Sequence, residues 1–218
     1  LASNENVLGV SPLALAAAEE AIRKVHYYPD GSAYHLKRAI AAKWGVSSDE
    51  VIGGSGSNDI IELLVRTFLN EGEEAMTAEG SFTIYRLAVQ AHGRHCRLVP
   101  MTRDRRYDLP AMAAQLTPRT KLVFFANPDN PTGTYFPLGE LEAFLARVPK
   151  TTLVVLDEAY FEFVTAQDFP DGLEVRKRHP NIVVLRTYSK AYGLAGLRLG
   201  YGIARPDIID FLNRVRMP

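Results

Sequence analysis

The sequence predicts an α/β domain built on a largely parallel sheet, and three observations carry that expectation. Short apolar runs alternate with amphipathic helical patterns along the chain, the signature of strand–helix–strand units. Three of these runs, Lys121–Phe125, Leu153–Leu156 and Ile182–Leu185, stop in turns that carry Asn, Asp, Thr, Ser and Lys. The carboxyl edge of an open α/β sheet is where ligands bind. The 218 residues, 47% of them hydrophobic, suffice for one substantial domain with a packed core.

The first helix is expected from Ser11-Pro12, with Pro at the first helical position, through the Ala-rich run to Val25. Tyr27-Tyr28-Pro29-Asp30-Gly31 breaks it with turn chemistry. Ser32 can cap a second helix over 33–44, which ends at Gly45. A short strand at Val51-Ile52 runs into Gly53-Gly54-Ser55-Gly56-Ser57-Asn58, which opens an amphipathic helix with Ile60, Ile61, Leu64, Val65 and Phe68 on its apolar face. Such a turn offers backbone N–H groups and a positive dipole end to an anion. It is neither a Walker A loop nor a dinucleotide fingerprint, and taken alone a plain strand-to-helix turn fits it equally well.

A strand at 75–77, a helix over 82–91 and a strand at 96–100 follow. Tyr85 lies on that helix, where core packing and ligand contact are equally open. His92 and His95 are three apart without nearby carboxylate or Cys partners in sequence, so they read as surface or structural, not as metal ligands. Arg103–Arg106 reads as a solvated charged turn. The run Lys121–Phe125 ends in Asn127-Pro128-Asp129-Asn130-Pro131-Thr132-Gly133, a rigid loop that can hold the Asn130 amide in a fixed place. A helix over 138–147 leads to the strand 153–156 and then to Asp157-Glu158-Ala159-Tyr160. The strand at 181–185, a lysine-bearing loop, a strand over 199–204 and a helix after Pro206 complete the chain.

The loop after the 181–185 strand carries Thr187, Ser189, Lys190 and Arg198 within twelve residues. Two cations and two hydroxyls suit a phosphate and an electrophilic carbonyl together, and lysine is the side chain that forms Schiff bases with carbonyls. Pyridoxal phosphate presents both groups. A strand ending in Asp157 sets a carboxylate at the same sheet edge, where it can pair with a protonated pyridine nitrogen, and Tyr160 can donate its hydroxyl to the cofactor's phenolic oxygen. Glu158 reads as serving the fold.

Ser189-Lys190, seven residues and then Arg198 resemble the cofactor-lysine motif of fold-type I pyridoxal-phosphate-dependent aminotransferases, and Asn130-Pro131-Thr132-Gly133 resembles a second motif of that family. The string Gly193-Leu194-Ala195-Gly196-Leu197-Arg198-Leu199-Gly200, with Asn4-Glu5-Asn6 and the Tyr-Pro-Asp-Gly turn, is similar to the histidinol-phosphate aminotransferases within it. The resemblance covers essentially the whole chain. It implies the aspartate aminotransferase-like large domain, a three-layer fold with a mainly parallel sheet, spanning 31–218 behind an N-terminal arm and helix at 1–30. It also implies a C-terminal small domain missing from this sequence.

The family's site residues carry over as follows. Lys190 would be the cofactor lysine and the proton carrier, Asp157 the pyridine partner, and Asn130 and Tyr160 the groups on the phenolic oxygen. Ser57, Asn58, Thr187, Ser189 and Arg198 would hold the phosphate. Tyr85 would stack on the ring, and Tyr28 would reach the phosphate of a neighbouring subunit in a homodimer with shared sites. The implied reaction is transamination between an amino donor, histidinol phosphate, and a 2-oxo acid, 2-oxoglutarate, in histidine biosynthesis. Val7, Val10 and Gly80 stand where the family commonly has proline, which loosens the substrate assignment. Aromatic amino acid aminotransferases and threonine-phosphate decarboxylases share these motifs.

A different class, the effector-binding domain of an aminotransferase-like transcription regulator, stays open, because the chain begins without Met and is expected to be cut at both ends. A Rossmann dehydrogenase fits poorly, since its fingerprint is absent and Lys190 would have no role. Lys+Arg 25 against Asp+Glu 25 argues against bulk nucleic-acid or membrane-surface binding. Cys96, alone, excludes an intrachain disulfide and a Cys-based zinc site, and reads as a small, partly buried hydrophobe. No apolar run reaches a membrane span and no signal peptide is visible, which fits a cytoplasmic protein.

Overall fold

The computed structural model describes residues 3–217. Leu1, Ala2 and Pro218, the outermost residues of the expected arm and large domain, lie outside the described residues.

Seven strands form one sheet: β1 (Val51–Ser55), β2 (Glu74–Ala78), β3 (His95–Val99), β4 (Thr120–Ala126), β5 (Leu153–Asp157), β6 (Ile182–Thr187) and β7 (Leu199–Ile203). Their order is β1-β7-β6-β5-β4-β2-β3. β7 runs antiparallel to both neighbours and the remaining pairs are parallel. The continuous apolar runs of β4, β5 and β6 follow from burial on both sheet faces. One face is covered by α2 (Tyr34–Trp44), α5 (Leu109–Ala114), α6 (Leu138–Leu145) and α7 (Gly172–Val175), which share a core with Val123, Phe125, Val154 and Val184. The other is covered by α3 (Ser57–Phe68), α4 (Ile84–Ala91) and α8 (Pro206–Val215), over Phe124, Val155, Val183 and Leu185. Alternate residues of each strand therefore feed opposite layers, and the expected three-layer α/β fold is the one observed.

The helix α1 (Pro12–Ile22) is different: among the described residues it buries nothing, and Leu13, Ile22, Val25, Tyr27 and Tyr28 are all exposed.

Four local expectations change. Ser32 does not cap α2; Asp30 does, accepting from Tyr34 N at 2.8 Å and Ser32 N at 2.9 Å, because its carboxylate offers two acceptors where a hydroxyl offers one short arm. His92 and His95 do have carboxylate partners, Glu62 and Glu74, brought from other elements by the fold. Arg106 is not simply solvated: it donates to Glu140 at 3.1 Å and to the Tyr135 carbonyl at 3.3 Å. Helices α5 and α7 were not expected, being too short to show helical periodicity. Among the described residues no helix is long and apolar enough to cross a membrane.

Candidate active site

The carboxyl ends of β4, β5 and β6, the start of α3 and the N-terminal arm converge on one cavity of about 580 Å³. Nearly every residue that the sequence singles out lines it: Ser57, Asn58, Tyr85, Asn130, Asp157, Tyr160, Thr187, Ser189, Lys190 and Arg198. Tyr28 does not; it follows α1 in the chain and is fully exposed.

Asp157 is the last residue of β5 and is 3% exposed. Tyr85 Oη donates to its Oδ2 at 3.0 Å, whereas Oδ1 is buried with no partner among the described residues. Burial pushes its carboxyl up to about 6, against the pull of the Tyr85 hydrogen bond, the Ala159 N–H and Lys190. Tyr85 itself reaches the cavity with one ring face already covered. It is fully buried, stacked on Phe124 at 5.1 Å, and burial with the nearby Asp157 charge raises its hydroxyl well above the usual range. Two aromatics of the cavity are half-buried, Tyr160 and Phe82, and Phe82 stands edge-on to Tyr85 at 5.5 Å. Sequence reasoning missed Phe82, although its place just past the carboxyl end of β2 could have flagged it.

The lysine loop is held from within. Thr187 Oγ1 donates to Ser189 Oγ at 3.0 Å and accepts from Ser189 N at 3.1 Å. Lys190 Nζ donates to the Asn4 carbonyl at 2.8 Å and stands 5.7 Å from the Tyr160 ring centroid. Asn4 Nδ2 donates to Tyr160 Oη at 2.8 Å, and Asn6 Nδ2 donates to the carbonyls of Lys190 and Ala191. The arm therefore straps the site, a role that the string Asn4-Glu5-Asn6 did not reveal.

Arg198 sits in the left-handed region at φ 54°, a costly conformation for a side chain of its size. No carboxylate among the described residues pairs with it. Its guanidinium lies on the turn before α3: a Cβ on Gly56, itself at φ 78°, would stand 2.7 Å from Arg198 Nη2. No side chain caps α3. An uncapped helix start, an Arg laid against it and two buried hydroxyls make an anion cradle. The Asn130 loop is fixed from below by Asp129, which accepts from Ser81 Oγ at 2.6 Å and Thr132 Oγ1 at 2.9 Å. Ser81 in turn bonds Tyr107 Oη.

These residues fit pyridoxal phosphate. The orphaned Asp157 Oδ1 suits a ring N–H, Lys190 offers a primary amine, and the Gly56–Arg198 cradle suits a phosphate.

The family model of aminotransferase class I and II matches residues 1–218. The chain is 62% identical over its whole length to a histidinol-phosphate aminotransferase of Anaeromyxobacter sp. (strain Fw109-5), of which it covers 60%. It is 52% identical to one of Moorella thermoacetica, of which it covers 56%. Among solved structures, histidinol-phosphate aminotransferase from Sinorhizobium meliloti, in complex with pyridoxal-5'-phosphate, superposes with a TM-score of 0.91 at 34% identity, over 98% of this chain and 58% of that one. The chain thus spans about 60% of the length of the relatives that it matches.

Proposed function

The chain belongs to the aminotransferase class I and II family, and from that membership we propose that it forms the pyridoxal-phosphate-binding large domain of a histidinol-phosphate aminotransferase. The observation that carries the cofactor is the unpaired, buried Asp157 Oδ1 in the cavity that Lys190 also lines. The substrate assignment rests on the 62% and 52% identical relatives that bear that name. The partner substrate is 2-oxoglutarate, and the step belongs to histidine biosynthesis. Residues 1–30 serve as the arm and first helix, and 31–218 as the large domain. We place the step in the cytoplasm, where a lone free thiol such as Cys96 persists.

When bound, pyridoxal phosphate supplies an electrophilic carbonyl carbon and a ring that withdraws electrons from a substrate carbon. Lys190 Nζ would be the amine that holds the cofactor's carbonyl carbon, the carbonyl oxygen leaving as water, and the same amine, when free, would carry a proton. To do so it must leave the Asn4 carbonyl. Asp157 Oδ1 would hold the ring N–H proton, and the Tyr85 hydrogen bond to Oδ2 keeps the carboxylate aimed. Asn130 and Tyr160 donate to the phenolic oxygen. Arg198, Thr187, Ser189, Ser57 and Asn58 hold the phosphate by charge-assisted hydrogen bonds. Phe82, not Tyr85, offers the ring face. Asn4 and Asn6 strap the lysine loop and Tyr160 at the mouth of the cavity.

A second copy completes the site. An α1 that buries nothing, with a row of exposed apolar residues, needs a cover, and Tyr28 beside it is free to reach a neighbour's phosphate. Lys190→Ala and Tyr28→Asp homodimers should each be nearly inactive, and refolding them together should restore activity in one site per mixed dimer. Silence on mixing, with dimers verified by sizing, removes the shared site.

The cofactor reading is tested by borohydride treatment of the full-length protein with pyridoxal phosphate, followed by peptide mapping. The adduct should lie on Lys190, and an adduct on another lysine ends the reading. An amino-donor panel assayed with 2-oxoglutarate should give histidinol phosphate the highest kcat/KM. Preference for an aromatic amino acid, or release of carbon dioxide, replaces the substrate.

A further inference from the structure

Behind the cavity, on the other face of the sheet, lies a buried ion pair that the chemistry above does not use. Arg186 and Glu158 are 0% and 1% exposed. Arg186 Nε and Nη2 donate to Glu158 Oε2 at 2.9 and 2.7 Å, and Nη2 also donates to Asp171 Oδ1 at 3.0 Å. Gly172 N donates to Glu158 Oε1 at 2.7 Å, and a Cβ on Gly172 would stand 2.7 Å from that same oxygen. The guanidinium carbon lies 3.6 Å from the Phe161 ring centroid and 4.2 Å from that of Trp44.

Stability alone does not call for such a pair. Taking two charges out of water is costly, and well-packed apolar residues of similar volume often hold a fold as well or better. One guanidinium nitrogen, Nη1, is even left buried without a partner among the described residues. The position of the cluster in the chain is informative. Glu158 directly follows Asp157, Phe161 directly follows Tyr160, and Arg186 directly precedes Thr187. Three residues that line the cavity each have their covalent neighbour in this one cluster. It also binds the two strand ends across the sheet, where Glu158 N donates to the Leu185 carbonyl at 2.9 Å.

We propose that the Arg186–Glu158 pair is a positioning device for the cavity, setting the relative placement of Asp157, Tyr160 and Thr187 from behind the sheet. A forked guanidinium bonded to a carboxylate fixes distance and angle together, which interchangeable apolar contacts do not. Glu158 and Arg186 are positioning residues: neither lines the cavity.

This inference rests on the cofactor reading, so the test begins with the parent. Full-length parent protein must bind pyridoxal phosphate at Lys190, and if it does not, that reading fails first. The decisive variant is Glu158→Leu with Arg186→Met, which replaces the pair by apolar side chains. It should melt within about 4 °C of the parent, yet kcat should fall about a hundredfold. The pH midpoint of the bound cofactor's absorbance should move by about half a unit or more. A folded double variant with parent-like kcat and midpoint overturns the proposal, since the pair would then be replaceable packing. If the double variant does not fold, Arg186→Lys decides on the same readouts, because it keeps the charge and loses the fork. Failure of both to fold also overturns it, because the pair would then serve the fold first.

Discussion

Two buried carboxylates stand at opposite ends of the same sheet and have opposite environments. Glu74 opens β2 at the amino edge and is 2% exposed. Arg97 donates to both its oxygens, at 3.2 and 3.0 Å, and Thr117, Thr120 and His95 add further bonds. Burial would raise its carboxyl, but Arg97 and the two threonines outweigh burial and bring it down to about 2. Asp157 closes β5 at the carboxyl edge, equally buried, with one tyrosine as its only side-chain donor and one oxygen unpaired among the described residues, and its carboxyl is pushed up to about 6. The satisfied carboxylate holds three elements together. The unsatisfied one leaves a buried acceptor facing the cavity that Lys190 also lines. An incomplete hydrogen-bond set at a strand's carboxyl end marks a binding group more surely than burial does.

The comparison breaks most visibly in activity. Asp157→Asn in the full-length protein should lower kcat at least about a hundredfold, as expected when a buried charged partner worth roughly 3–5 kcal/mol is lost. A rate within tenfold of the parent would mean that Asp157 is not the ring partner. Next in size is stability at the other end. Glu74→Ala strands Arg97 and should cost about 3 kcal/mol in urea unfolding, while the dissociation constant for pyridoxal phosphate stays unchanged. A weakened cofactor affinity would show that the two ends are coupled.

The pH dependence separates the two carboxylates by sign. Without cofactor, folded Asp157 retains a proton up to about pH 6 that the unfolded chain releases near the ordinary aspartate value of 3.8. Stability therefore falls as pH rises through that window, by up to about 3 kcal/mol. Glu74, with its carboxyl held at about 2, contributes stability that is present above about pH 4.5 and lost as pH falls toward 2. Urea midpoints from pH 4 to 7 should show the Asp157→Asn protein gaining on the parent as pH rises; a constant difference would contradict the unpaired carboxyl. Saturating pyridoxal phosphate should flatten the parent's slope. The smallest effect is expected from Tyr85→Phe, which removes a single hydrogen bond to a charged group. It should cost about 1.5 kcal/mol, roughly tenfold in kcat. A larger loss in cofactor affinity than in kcat would instead give Tyr85 a direct binding role.

The sequence alone determined the layered α/β plan and the chemistry of the sheet edge. Both are written locally: apolar runs long enough to be strands, and Asn130, Asp157, Thr187, Ser189 and Lys190 at or just beyond strand ends. Strand polarity then brings them to one edge, with no need to know which strands are neighbours.

Only the tertiary structure decided which group meets which. Tyr85 and Asp157 are 72 residues apart, and Asn4 and Lys190 are 186 apart, so no local pattern could give the tyrosine hydroxyl its carboxylate partner or lay the arm across the lysine. The same holds for His92 with Glu62 and for the buried contact of Arg186 with Glu158. A side chain's type and its place on a strand are local properties. Its hydrogen-bond partner depends on packing between elements distant in sequence, and so does the question of whether it has a partner at all.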